Sequence, residues 1–257
     1  MSEPRFIYTF EEGDAGDRML LGGKGANLCA ITQIGLNVPP GFVITTAACL
    51  AYLEQQRLPG ALMADVRAHV AELERKTGKG FGSATHPLLV SVRSGSAMSM
   101  PGMMDTILNL GLNPATLKGL MAQTGNQRFA WDAYRRFVQL YGKIAMGIPD
   151  EAFDDAMAAV KRKHGAVHDV ELGVGALEEL AQAFLAVYRD HTGQPLPVDP
   201  YEQLERSIEA VFRSWNGKRA VDYRNAAGIA HDLGTAVNIQ TMVFGNLGND
   251  SATGVVT

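Results

Sequence analysis

Residues 91–106 read SVRSGSAMSMPGMMDT, and this stretch decides how the rest of the chain is interpreted. Four methionines fall within seven residues, among Ser, Gly and Pro, and Arg93 stands at the end of the apolar run that precedes them. A buried strand has no use for so much Gly and Ser, and an ordinary surface loop has no use for so much Met. The apolar run at 87–94 predicts a strand buried on both faces. We therefore interpret the stretch as a buried strand that ends in an arginine and continues into a pliable, apolar loop.

The sequence around this stretch predicts an α+β fold. Strands are expected at 5–10, 41–45, 87–94 and 236–244. We predict that these four strands belong to one sheet. Residues 114–192 instead follow helical spacing almost throughout, and Asp199-Pro200 provides the N-cap and first position of a further helix.

This order of elements predicts the domain organisation. Residues 1–111 and 198–244 would form one α/β lobe, and residues 112–197 would form a helical subdomain inserted into it. The segment 245–257 ends in a new β-branched run, and it is expected to start a second lobe that is truncated here.

Composition and charge exclude several function classes. The net charge is −4, and the one short basic run, at 161–165, ends a helical pattern, so nucleic acid is not an expected partner. The sequence has no apolar run long enough for a membrane span, and no membrane partner is expected. Cys29 and Cys49 lie among apolar residues and are interpreted as reduced, buried thiols, which favours the cytoplasm. The six histidines are scattered singly, and no metal site is predicted.

The motif GGKGAN at 22–27 is a candidate anion site. It matches neither a Walker A loop, which needs Ser or Thr after the lysine, nor the dinucleotide fingerprint, which needs a third glycine where Leu28 stands. What remains is a glycine turn, the positive charge of Lys24 and the start of a helix. A purely structural role for the glycines explains the motif equally well.

Arg93 is a second candidate for binding an anion. An arginine at the end of a buried strand needs either a carboxylate of the protein or a bound anion as its partner. Considered alone, Arg93 would more often form a structural salt bridge.

Taken together, these motifs resemble one family. LLGGKGANLCAITQIGLNVPPGFVITT, LLVSVRSGSAMSMPGMMDTILNLGLN, RFAWDAYRRFVQLYG and GTAVNIQTMVFGNLGNDSATGV occur in this order. They resemble the N-terminal nucleotide-binding region of the pyruvate, phosphate dikinase family over nearly the whole chain. The resemblance implies an ATP-grasp-like first lobe, in which ATP and Mg²⁺ are held between two lobes.

The resemblance also implies site residues. Lys24 and Arg93 match phosphate-contacting residues, and Gly102 matches a glycine of the loop that covers the nucleotide. In addition, Gln240, Met242 and Val243 match the edge of the adenine site, and Thr253 and Gly254 match a turn near the terminal phosphates. The acidic Mg²⁺ ligands are expected outside this fragment, and no catalytic residue is assigned within it.

The implied reaction of the longer protein is ATP + pyruvate + phosphate giving AMP + phosphoenolpyruvate + diphosphate, through a phosphohistidine on a separate domain. No histidine here has the sequence context of that carrier, so the fragment alone is expected to be inactive. Two alternatives stay open: a phosphoenolpyruvate synthase-type enzyme, and a nucleotide-binding module without catalysis.

Overall fold

The computed structural model describes residues 5–248 and 251–254, and a five-stranded sheet lies at its centre. The strands are β1 (Ile7–Thr9), β2 (Gly41–Ile44), β3 (Val90–Gly95), β4 (Thr106–Leu110) and β5 (Ala236–Thr241). Their order is β1-β2-β5-β3-β4, and every neighbouring pair is antiparallel. The prediction that four segments of the sequence share one sheet is confirmed. β4 was not predicted, and it makes the methionine-rich stretch the connection of a β-hairpin.

Helices make up most of the other described residues. They are α1 (Arg18–Gln33), α2 (Thr46–Gln55), α3 (Leu62–Thr77), α4 (Pro114–Thr124), α5 (Gln127–Met146), α6 (Asp150–His164), α7 (Val174–Thr192), α8 (Pro200–Ser214) and α9 (Lys218–Ala227). Side-chain caps start several of them, since the Asn126 side chain accepts from the amide of Phe129 and the Asp199 side chain from that of Tyr201.

The two faces of the sheet are buried differently. Successive side chains of a strand point to opposite faces, so Val92 and Ile239 pack into a large core formed with α2, α5 and α8. Val43 and Ala236 belong instead to a small second core against α1. We call these the core face and the α1 face of the sheet.

The helices at 112–197 share the large core with the sheet. Phe137 and Val138 of α5 and Leu177 of α7 belong to the same continuous cluster of buried side chains as Val92. Whether these helices form a subdomain of their own stays a prediction.

Three elements differ from the sequence-based expectation. The predicted strand at 236–244 ends at Thr241, and α9 was not foreseen, because only Ala220 and Arg224 of that polar helix are buried. The glycine turn expected before the first helix is instead a break inside α1 at Gly22.

Candidate functional site

The break in α1 brings that helix against the end of β3. Gly22 has φ 69° and ψ 160°, a combination that is essentially restricted to glycine. A Cβ atom at Gly22 would overlap the carbonyl oxygen of Gly95. The amide of Gly23 donates a hydrogen bond to the carbonyl of Ser96 at 2.8 Å. The glycine pair therefore allows close approach of two backbones, and it sets Lys24 beside Gly95.

Lys24 packs against Gly95, which lies two residues along β3 from Arg93. Burial, together with the positive charge of Arg93, lowers the pKa of Lys24 from 10.5 to about 8. Within residues 5–248 and 251–254, no salt bridge and no side-chain hydrogen bond involves either cation. The structural salt bridge considered for Arg93 is thus not found among the described residues.

Lys24 lines a cleft of about 710 Å³, which we call the α1 cleft. One wall of the cleft is formed by α1, through Lys24, Asn27 and Ile31. The other wall is formed by residues 94–102, at the end of β3 and the start of the methionine-rich loop, which connects β3 to β4 over residues 96–105. Gly102 lies in this wall with φ +72°, and a Cβ atom there would meet nothing within 4 Å. The volume suits a small-molecule ligand of nucleotide size.

The four methionines of the loop do not have the same environment. Met100 is buried, and Met103 and Met104 pack against the large core. Met98 is 51% exposed and lines the α1 cleft. Met100 and Met104 line the α1 cleft as well. Three of the four methionines therefore help to fill the core, and Met98 is the exposed one.

A second cleft of about 700 Å³ lies at the other end of the same strands, and we call it the β5 cleft. Met242 and Val243 line it, opposite Pro39 and Pro40. The Gln240 side chain donates to the carbonyl of Pro39 at 3.0 Å, so its amide is tied to this end. The structure thus gathers the three residues predicted for the adenine edge, in a place separate from Lys24.

Thr253 and Gly254 are exposed. Thr253 packs on Gly245, where an added Cβ atom would overlap its methyl group. Among the described residues that line the α1 cleft, neither Thr253 nor Gly254 appears. Their predicted place near the terminal phosphates stays a prediction.

Sequence reasoning missed Asn238 and Ser91, two polar residues of the α1 face. Asn238 and Ser91 are buried there, and the register pairs Asn238 with Arg93 and Gln240 with Ser91. The signal was available in AVNIQT, where polar residues alternate with apolar ones in a strand that is buried along its whole length. The α1 face is therefore apolar near β2 and polar between β5 and β3.

Neither a metal site nor a membrane-spanning helix is found in the described part of the chain. There, no three or more His, Cys, Asp or Glu side chains are grouped so that they could hold a metal ion. Over the same residues, no helix has both the length and the apolar character that crossing a membrane requires.

The family model and the similar proteins point to one and the same family. The family described as "Pyruvate phosphate dikinase, AMP/ATP-binding domain" matches residues 18–63 and 58–257. A pyruvate, phosphate dikinase of Entamoeba histolytica is 54% identical over 252 residues, covering 97% of this chain and 28% of that protein. Similar enzymes of Giardia intestinalis and Clostridium symbiosum are 51% and 47% identical, over 27% and 29% of their lengths. The chain thus spans little more than a quarter of these relatives.

Proposed function

The chain belongs to the family of pyruvate phosphate dikinase AMP/ATP-binding domains, and from this premise we propose that it holds the phosphates of ATP between Lys24 and Arg93. One observation carries the proposal: two neighbouring cations have no carboxylate partner among the described residues. Like charges at close range repel each other, and a polyphosphate anion would turn this repulsion into two favourable contacts. Arg93 would supply a planar fork of donors, and Lys24 a point charge.

We propose that the nucleotide lies along the α1 face of the sheet. The row of Arg93 and Asn238 and the row of Ser91 and Gln240 are two residues apart on β3 and β5, which corresponds to about 7 Å. An extended nucleotide is longer than this separation. Phosphates beside Lys24 would therefore leave the base near Gln240.

The remaining contacts follow from the same placement. Met242 and Val243 would edge the adenine, and Gly102 would let the methionine-rich loop approach the phosphates closely. Thr253 and Gly254 would reach the terminal phosphates when the second lobe closes. The loop would act as a cover, with Met98 as its adaptable apolar side chain.

We infer that Mg²⁺ is not held by the residues described here. Their carboxylates do not form a group suited to a metal ion, and we derive no step through the metal from this part of the chain. The ligands would come from the second lobe, of which residues 245–257 would be the start.

We further propose that the longer protein is a pyruvate, phosphate dikinase. In it, the phosphohistidine domain would receive a phosphoryl group from ATP and pass it on, giving AMP, phosphoenolpyruvate and diphosphate. This fragment would contribute ATP binding without catalysis. In the same proposal, the first lobe of an ATP-grasp fold comprises residues 1–111 and 198–244, and residues 112–197 form a helical subdomain inserted into it. The protein would be located in the cytoplasm.

The test compares ATP binding by the unmodified chain and its variants. We expect Lys24→Ala or Arg93→Ala to weaken the binding of ATP and of inorganic tripolyphosphate about tenfold to a hundredfold, since a charged hydrogen bond contributes about 1.5–3 kcal/mol. Arg93→Lys should bind ATP little better than Arg93→Ala does, because the ammonium group of lysine cannot replace the planar set of donors of the guanidinium group. Calorimetric titration gives the dissociation constants, and circular dichroism verifies folding.

Lys218→Ala is the matched control, because Lys218 is exposed on α9 and pairs with Asp222. It should bind ATP as the unmodified chain does. Unchanged ATP and tripolyphosphate binding in both Lys24→Ala and Arg93→Ala would refute the proposal.

A further inference from the structure

Asn238 is a fully buried asparagine in the middle of the sheet, on the α1 face. The register pairs it with Arg93 of β3 on one side and with Val43 of β2 on the other. Directly paired residues of antiparallel strands project from the same face, with Cβ atoms about 4.5–5.5 Å apart. The amide of Asn238 therefore lies beside the side chain of Arg93.

Two glycines hold this amide in place. A Cβ atom at Gly25 of α1 would lie 3.1 Å from Oδ1 of Asn238, and a Cβ atom at Gly95 would lie 2.8 Å from its Nδ2. The same added atom at Gly95 would lie 3.3 Å from Cβ of Lys24. Asn238 is thus packed into the junction that also positions Lys24.

The hydrogen bonding at this junction is incomplete. Nδ2 of Asn238 donates to the backbone carbonyl of Arg93 at 3.4 Å. Oδ1 of Asn238 and Nε of Arg93 are both buried, and neither has a hydrogen-bond partner in the part of the chain that the structure describes. One is an acceptor and the other a donor, and they belong to paired residues. Leaving both unsatisfied in the interior is unfavourable.

We propose that Asn238 is a positioning residue for Arg93: its Oδ1 accepts a hydrogen bond from Nε when an anion is bound, so that the two terminal nitrogens of the guanidinium face that anion beside Lys24. The inference rests on the proposed function of the two cations. A guanidinium is planar and its five N–H donors are fixed relative to one another. Fixing Nε therefore fixes the direction of the other four donors.

Asn238→Leu and Asn238→Asp test the inference in this chain, with inorganic tripolyphosphate as the probe. Asn238→Leu removes the acceptor and keeps the same branching and number of side-chain heavy atoms, and we expect tripolyphosphate to bind about tenfold more weakly. In an Arg93→Met background the same change should cause no further loss, since Asn238 acts through Arg93.

Asn238→Asp places a carboxylate beside Arg93. We expect this carboxylate to compete with the anion, so that tripolyphosphate binds more weakly than to Asn238→Leu. It should also offset the charge of Arg93 and raise the pKa of Lys24 above about 8. NMR titration of ¹³C-labelled lysine side chains measures that pKa. An unmoved pKa would mean that the side chain at position 238 does not face the two cations.

Asn109→Gly is the matched control. Asn109 is also buried with an unpartnered Oδ1, but its side chain donates to the carbonyl of Ala133, and its positive φ of 59° suits glycine. We expect this variant to keep both the affinity and the pKa of Lys24.

The inference is overturned if Asn238→Leu binds tripolyphosphate within twofold of the unmodified chain, or if its loss is fully additive with that of Arg93→Met. If Asn238→Leu does not fold, an unchanged pKa of Lys24 in Asn238→Asp overturns it. An Arg93→Met variant that binds normally would instead contradict the proposed function, so the two failures can be told apart.

Discussion

The two faces of the sheet use the same strands for different purposes. On the core face, Val92 and Ile239 are fully buried among apolar side chains from several helices. On the α1 face, the next residues along the same strands are Arg93 and Asn238, which carry buried polar atoms without partners among the residues described. Consecutive residues of one strand thus differ completely in what surrounds them.

This difference separates stability from binding. Apolar burial on the core face contributes about 1.5–3 kcal/mol for each large side chain. Unsatisfied polar atoms and two repelling cations on the α1 face act against folding. Natural proteins retain such groups mainly where a site needs them. In the proposed function, the core face stabilises a fold whose α1 face binds an anion.

Gly22→Ala should have the largest effect, because Gly22 joins α1 to the sheet. Its backbone conformation costs other residues about 1–3 kcal/mol, and the overlap with the carbonyl of Gly95 adds about 1–3 kcal/mol. We expect the free energy of unfolding, measured by urea denaturation, to fall by about 2–6 kcal/mol. Binding of ATP should fall at least about tenfold, because Lys24 moves relative to Arg93.

Gly78→Ala is the control that isolates the cost of placing alanine in a left-handed backbone conformation. Gly78 has φ +68° at the end of α3, and a Cβ atom there would meet nothing within 4 Å. It should lose about 1–2 kcal/mol and no ATP affinity. If Gly22→Ala loses no more than this, close approach of α1 and β3 does not matter.

Ile239→Ala tests the core face with the next largest effect. The substitution removes the Ile239 side chain beyond Cβ and leaves a cavity in a fully buried site. We therefore expect the free energy of unfolding to fall by about 2–5 kcal/mol. ATP affinity, measured where the variant is folded, should stay within about twofold. Ile34→Ala, at a side chain 74% exposed, should change stability by no more than about 0.5 kcal/mol. A large loss of ATP affinity in folded Ile239→Ala would contradict the separation of the two faces.

Much of this arrangement could be predicted from local sequence. The apolar run before Arg93 identified β3, and the caps Asn126 and Asp199 identified the starts of α5 and α8. These features succeed because the signal lies within a few residues of the element it defines.

The missed features depend on distant parts of the chain. β4 has only five residues, and its register with β3 shifts near Asn109, whose positive φ breaks the regular strand pattern. The break at Gly22 is needed only because Gly95 lies against it. Asn238 becomes notable only once the register sets it beside Arg93. These contacts are not local. The alternation in AVNIQT could mark Asn238 as a polar residue of a buried strand, but it could not reveal the pairing of Asn238 with Arg93.

The pH dependence gives the smallest effect, and it distinguishes folding from binding on the α1 face. The pKa of Lys24 is about 8 in the folded chain, against 10.5 for a lysine that is fully hydrated and has no charged neighbours. Between these values the unfolded chain holds more protons, so this lysine makes stability rise with pH by up to about 1.4 kcal/mol per unit. Below about pH 8, charged Lys24 lowers the free energy of unfolding by its full amount.

ATP binding should change in the opposite direction over the same pH range. A bound polyphosphate favours charged Lys24, so binding takes up a proton, and affinity should fall by up to about tenfold per unit as pH rises above about 8. Calorimetric titrations of ATP and urea denaturation, both from pH 7 to 10, give the two slopes. Lys24→Met removes both contributions, so its difference from the unmodified chain isolates them from other titrating groups, while Lys24→Arg stays charged and should show a flat ATP affinity. Because one proton on one nitrogen opposes folding and supports binding, the two slopes must have opposite signs. If they had the same sign, or if Lys24→Met retained the fall in affinity, the anion would not be held by Lys24.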